Sequence, residues 1–239
     1  MMKRLMTPML AQSHGRGFSI VELLLTLVVI CLLISIVLPR MASARSRAHQ
    51  LNCVNNQKQL VAAMEMYARE NDDAAPHPNW DFNPNFAGWL CRPPFEKPAT
   101  NVQTGLLWKY SLTERVFTCP QDKTNTSSFS ARRQKYSSYI MNGAACFFET
   151  QARPRTVKIS TLREDAIILW QADERNFRDF NDGASKPDEG VTRMHANGST
   201  IALLGGAVQH ITAREFNQQI LRKPGRLWWN PKKIDGTAP

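Results

Sequence analysis

The sequence predicts an α+β protein in which one long amino-terminal helix, its first half of membrane length, packs on a small antiparallel sheet. Three observations carry that reading. Residues 18–38 hold a single charged side chain, Glu22, in an otherwise apolar run. The stretch after it, to about residue 70, repeats apolar residues at helical spacing. Residues 191–211 read as short strands parted by Asn197-Gly198 and Gly205-Gly206, dipeptides that make tight turns.

The apolar run sets the first element. A helix over residues 18–38 spans about 31 Å, the thickness of a hydrocarbon core. A carboxylate in hydrocarbon costs about 2.5–3.5 kcal/mol, so Glu22 needs a partner. Lys3, Arg4 and Arg16 precede the run, and Arg40, Arg45 and Arg47 follow it, so flanking charge is nearly balanced and leaves orientation open. A secretory signal is cut after its apolar region. Here the glycine that suits a cut, Gly17, comes before it.

Gly17-Phe18-Ser19-Ile20-Val21-Glu22-Leu23-Leu24 resembles the processing site of type IV pilins and type II secretion pseudopilins. The resemblance implies a leader, residues 1–17, removed between Gly17 and Phe18 by a prepilin peptidase, and methylation of the new Phe18 amino group. It also implies a transmembrane helix over residues 18–38, a helix break or kink at Pro39, and a carboxyl-terminal domain in the periplasm of a bacterial inner membrane. Glu22 becomes an assembly residue, its carboxylate paired with the Phe18 amino group of a neighbouring subunit. Leaving one partner of such a pair alone costs about 3–5 kcal/mol, which would also fix register.

Beyond Pro39, residues 39–70 continue the helix with Ala44, Ala48, Leu51, Val54, Val61, Met64 and Ala68 on one face and Arg45, Arg47, Lys58, Glu65 and Arg69 opposite. Cys53 and Asn56-Gln57-Lys58-Gln59-Leu60 are similar to the corresponding part of pilin-like proteins of environmental bacteria. Residues 71–239 form the carboxyl-terminal α+β domain. It opens with a proline-rich loop, residues 71–103, whose Trp80, Phe82, Phe86 and Trp89 are expected to staple it down. A short helix is expected over residues 105–110, extended segments at 116–120 and 139–142, and a buried strand at 167–170. A three-stranded antiparallel meander is expected over 191–211, then a terminal helix over 213–222. Leu51, Val54, Val61, Met64, Ile168, Trp170, Ile201 and Leu203 are the expected core.

His195, nine residues and Gly205-Gly206 are similar to the H-x9-DG element of a prepilin-type carboxyl-terminal domain, with glycine in the aspartate position. His195 is read as a hydrogen-bonded hairpin residue rather than a ligand. The acidic stretch Asp173, Glu174, Asp179, Asp182, Asp188 and Glu189 has oxygen chemistry that suits calcium, but it lacks EF-hand spacing and carries Arg175, Arg178 and Lys186. It is read as a solvated loop, with no metal and no cofactor expected. No nucleophile signature is present, and no enzyme is expected.

Five cysteines remain to be placed. Cys31 lies in the apolar run. Cys53, Cys91, Cys119 and Cys146 allow three pairings in an oxidising space, of which Cys91 with Cys119 is expected because it would tie down the proline-rich loop. The net charge of +10 suits an acidic partner, but Lys and Arg are scattered, with Arg132, Arg133 and Lys135 the tightest run, and no nucleic-acid partner is expected. The resulting expectation is a structural filament subunit. Its partners would be prepilin peptidase, other pilin or pseudopilin subunits, the inner-membrane assembly platform and membrane lipid. The alternative is a pilin-like binding module for DNA or a surface ligand on the same anchor.

Overall fold

The computed structural model describes residues 19–82, 85–93, 101–111 and 113–239. Its internal contacts divide it into two units, Met1–Ala44 and Arg45–Pro239. The protein is α+β, with an amino-terminal apolar helix and a small mixed sheet.

Helix α1 runs Ile20–Glu70. Ser19 starts it: its Oγ accepts from the Val21 N–H at 3.3 Å, and the Ser19 N–H donates to Glu22 Oε2 at 2.9 Å. This reciprocal arrangement satisfies donors that a helix start leaves orphaned. Residues Ile20–Leu38 are long and apolar enough to cross a membrane, and none of them is buried. The helix does not end at Pro39; proline removes one donor there without stopping the assignment.

Within the second unit, α1 buries Cys53, Gln57, Leu60, Val61, Met64 and Ala68. This corrects the expected stripe: Leu51 is exposed and Val54 half-buried. Cys53 and Gln57 take the inward positions, and at 100° per residue Leu51 lies about 200° round from Cys53. A pattern read from aliphatic residues alone missed that rotation.

The five-stranded sheet has the order β3-β1-β2-β4-β5, from β1 Tyr139–Asn142, β2 Ile167–Gln171, β3 Ala184–Ser185, β4 Gly198–Leu203 and β5 Val208–Thr212. It is mixed, not antiparallel throughout, because β3 pairs with β1 in parallel, Met141 opposite Ala184. The other ladders are antiparallel, with Ile140 opposite Trp170, Trp170 opposite Ile201 and Ile201 opposite Gln209. Adjacent residues of a strand face opposite ways. Gln171 reaches Cys53 on α1, whereas Trp170 packs 5.8 Å from Phe216 on helix α4, Ala213–Ile220. The two helices therefore cover opposite faces of the sheet. Ile168, Trp170, Ile201 and Leu203 are buried as expected.

The expected meander has two of its three strands. Residues 191–195 are irregular, and β4 takes β2 as its second neighbour. The turn is Ala196-Asn197 rather than Asn197-Gly198: φ is 45° and 60° at these two residues, and His195 and Gly198 exchange backbone hydrogen bonds across them. Gly198 belongs to the strand, where a Cβ would lie 2.1 Å from the Ile211 carbonyl oxygen. Residues 114–117 form a 3-10 turn, Glu114–Phe117, where an extended segment was expected. Helices α2, Trp108–Ser111, and α3, Ser127–Ala131, are single turns. Helix α4 starts on a capping box of Thr212 and Glu215.

The proline-rich loop is stapled as its aromatics predict, in its described part. Trp89 is fully buried and donates from Nε1 to the Gly183 carbonyl at 2.9 Å. Phe86 meets His77 at 4.6 Å and Trp80 meets Phe148 at 5.7 Å. The Asn79 amide bridges the backbone of Leu90 and Cys91.

Candidate functional site

Two features carry chemistry. The first is the head of α1. Glu22 lies near the start of the 19-residue, uncovered and largely apolar stretch Ile20–Leu38, and its described partner is the backbone N–H of Ser19. The expected cleavage and methylation positions, Gly17 and Phe18, lie outside the described residues.

The second feature joins three residues from separate parts of the chain. The inward face of α1 presents Cys53. The chain leaving the Glu114–Phe117 turn presents Cys119. The residue before the Ala196-Asn197 turn presents His195. Cys53 Sγ lies 3.0 Å from Cys119 Sγ, and Cys119 Sγ lies 3.4 Å from His195 Nε2. All three ligand atoms lie within 4.8 Å of one another. Their exposures are 0%, 3% and 0%, so no substrate-sized molecule reaches them.

The cluster is held from several sides. The Cys119 N–H donates to Ser138 Oγ at 2.9 Å, and Ser138 Oγ donates to Asp122 Oδ2 at 2.8 Å. Arg132 grips Asp122 with two hydrogen bonds, 2.7 and 2.9 Å, and its guanidinium lies 3.6 Å over the Phe180 ring. His210 Nε2 donates to the His195 carbonyl at 2.7 Å; that ring nitrogen carries its proton, because a carbonyl can only accept. Among the described residues, His195 Nδ1 is buried without a partner. The Cys53 thiol donates to Cys119, and that hydrogen bond, aided by burial, pushes Cys53 well above the usual thiol range. The same bond holds Cys119 below that range; burial opposes the shift, and His195 and the Gln121 N–H reinforce it. The two thiols therefore titrate as a coupled pair, Cys53 shifted up and Cys119 down.

Cys119 therefore lies against Cys53 and not against Cys91, which corrects the expected pairing. Cys91 is buried on the proline-rich loop, and Asn79 bonds its backbone carbonyl. His195 is a hydrogen-bonded turn residue, as expected, but its ring faces a thiol.

The acidic stretch also departs from expectation. Asp179 and Asp182 are each 4% exposed rather than solvated. Asp182 accepts from the Ala184 and Asp81 backbone N–H groups, which joins the proline-rich loop to β3. Burial above all pushes both carboxyls up to about 7. Among the described residues these carboxylates do not gather a third ligand atom as the cysteine–histidine group does. Arg132, counted in the basic run, is buried in its ion pair and closed to a polyanion.

Comparison with protein-family models, with curated proteins and with solved structures finds no match.

Proposed function

We propose that this chain is a structural subunit of a type II secretion or type IV pilus-like filament, a pseudopilin or minor pilin anchored and assembled through α1. The observation that carries the reading is the uncovered apolar stretch Ile20–Leu38 headed by Glu22. An apolar surface that long needs lipid or neighbouring helices around it. Hydrocarbon explains the length of the stretch but not the carboxylate, whereas a neighbour's amino terminus would neutralise it. The Ser19 N–H now satisfies one Glu22 oxygen, and one neutral donor does not compensate a charge moved into lipid. Processing before Phe18 by prepilin peptidase, insertion in the inner membrane and a periplasmic domain belong to this reading. So does the absence of catalysis: the one thiol–imidazole group among the described residues is sealed from substrate.

The test is Glu22→Val in cells that make the assembly machinery. The variant should reach the membrane fraction at the wild-type level or above, because the desolvation cost is gone. Crosslinked ladders of subunits should disappear. Intact mass of the extracted wild-type protein should place the mature amino terminus at methylated Phe18. Unchanged ladders in the variant, or a mature chain that begins after Leu38, would overturn the reading.

A further inference from the structure

We propose that Cys53 and Cys119 form a buried disulfide that fastens the carboxyl-terminal half of α1 to the sheet domain. The proposal draws on the filament-subunit reading only for the compartment in which the bond forms. The bond would cross the interface that matters for such a subunit. Cys53 sits on the helix and Cys119 on the domain, 66 residues apart in sequence. Any pull along α1 would then reach the sheet through a covalent link, and not only through the side chains packed around it.

The geometry separates this from a metal site. The sulfurs are 3.0 Å apart, about 1 Å from bonding distance. Two thiolates on one tetrahedral zinc stand about 3.8 Å apart, given zinc–sulfur bonds of about 2.3 Å, so a metal would have to force the pair open. A closed structural site also takes four ligands, and the described residues offer three. The environment favours the bond as well. The unbonded pair is two ionisable groups in a dry interior, whereas a disulfide there is neutral and needs no hydrogen bond. His195 Nε2 lies 3.4 Å from Cys119 Sγ, beside the attacking sulfur.

The chemistry is thiol–disulfide exchange with a disulfide-bearing oxidant, either a thiol oxidoreductase of the oxidising compartment or oxidised glutathione in solution. Cys119 thiolate attacks a sulfur of the oxidant, forms a mixed disulfide and expels one thiolate. Cys53 then loses its proton to solvent and attacks Cys119 Sγ, expelling the second thiolate. Two thiols are oxidised and one disulfide is reduced. The closed burial of the site places both steps during folding, before the helix covers Cys119.

The experiment uses the full chain in detergent, refolded with a glutathione redox buffer and, in parallel, extracted from membranes under alkylation without reduction. Both are digested with trypsin and mapped by mass. The expected result is a linked pair of peptides, residues 48–58 joined to 116–123, about 2 Da lighter than the two thiol peptides together. Reductant should then lower the wild-type melting temperature by on the order of 10 °C and leave Cys53→Ala/Cys119→Ala unmoved. Four outcomes overturn the proposal: both cysteines alkylated in the oxidised folded chain, Cys119 linked to Cys91, equal reductant sensitivity of wild type and double variant, or stoichiometric zinc whose removal exposes the two thiols. A link that forms in glutathione but is absent from membrane-extracted protein supports the site and counts against the extracytoplasmic placement.

Discussion

Arg132→Met tests how the domain holds its buried polar network. The Arg132 and Asp122 side chains are 1% and 5% exposed and share two hydrogen bonds of 2.7 and 2.9 Å. Methionine keeps the aliphatic stem and removes the charge, so Asp122 stays buried with Ser138 Oγ as its remaining side-chain donor. Breaking one side of a buried pair costs about 3–5 kcal/mol, and losing the contact with the Phe180 ring adds up to about 2 kcal/mol. For a unit the size of Arg45–Pro239, each kcal/mol moves the midpoint by about 2–4 °C, so a fall of about 6–28 °C is expected. The assay is denaturation of the detergent-solubilised chain followed by tryptophan fluorescence. All six tryptophans lie beyond residue 79, so the signal reports on this unit. Arg132→Met/Asp122→Leu should recover most of the loss, because removing both partners leaves no orphan charge. A loss below about 1 kcal/mol in the single variant, the level of a surface pair, or a double variant no better than the single, would refute the reasoning.

Two further predictions concern the acidic segment and the hairpin. Among the described residues Asp179 Oδ2 is buried without a partner, and burial, then repulsion from Glu189 and Asp173, raises its carboxyl to about 7. The folded state therefore holds a proton that the unfolded chain releases near pH 3.9, and wild-type stability falls as pH rises from about 4 to about 7. Asp179→Asn should match wild type near pH 3.5 and exceed it above pH 7.5 by at most about 4 kcal/mol; denaturation midpoints at the two pH values check this, and an equal difference at both would sink it. The opposite contribution of His77, lowered to about 4 by burial, cancels in the comparison with wild type. Ala196→Gly relieves a non-glycine residue held at φ 45° and should stabilise the chain by about 0.5–1 kcal/mol; a loss of stability on denaturant titration would show that the turn is not strained.

The sequence by itself determined the elements whose cause is local or periodic. The apolar run made α1 membrane-long, β-branched and aromatic runs made β1 and β2, and Thr212 with Glu215 started α4. The proposed processing at Gly17 and Phe18 and the proposed assembly role of Glu22 rest on the sequence alone. Tertiary structure decided what depends on which segments meet. Cys53 and Cys119 were legible as members of an even set with three pairings open, and only packing of α1 on the sheet brings these two sulfurs together. His195 carried a sequence signal, its spacing to the glycine pair, yet nothing local reveals that its ring faces a thiol. Asp179, Asp182 and Arg132 read as solvated because charged residues are exposed by default. Their burial arises where the proline-rich loop and the segment from Glu174 to Phe180 close over them, contacts between residues 42 to 101 apart in the chain. The stripe on α1 shows the same division: helical periodicity is a local property, but the direction of its inward face was fixed by the Cys53 and Gln57 partners on the sheet.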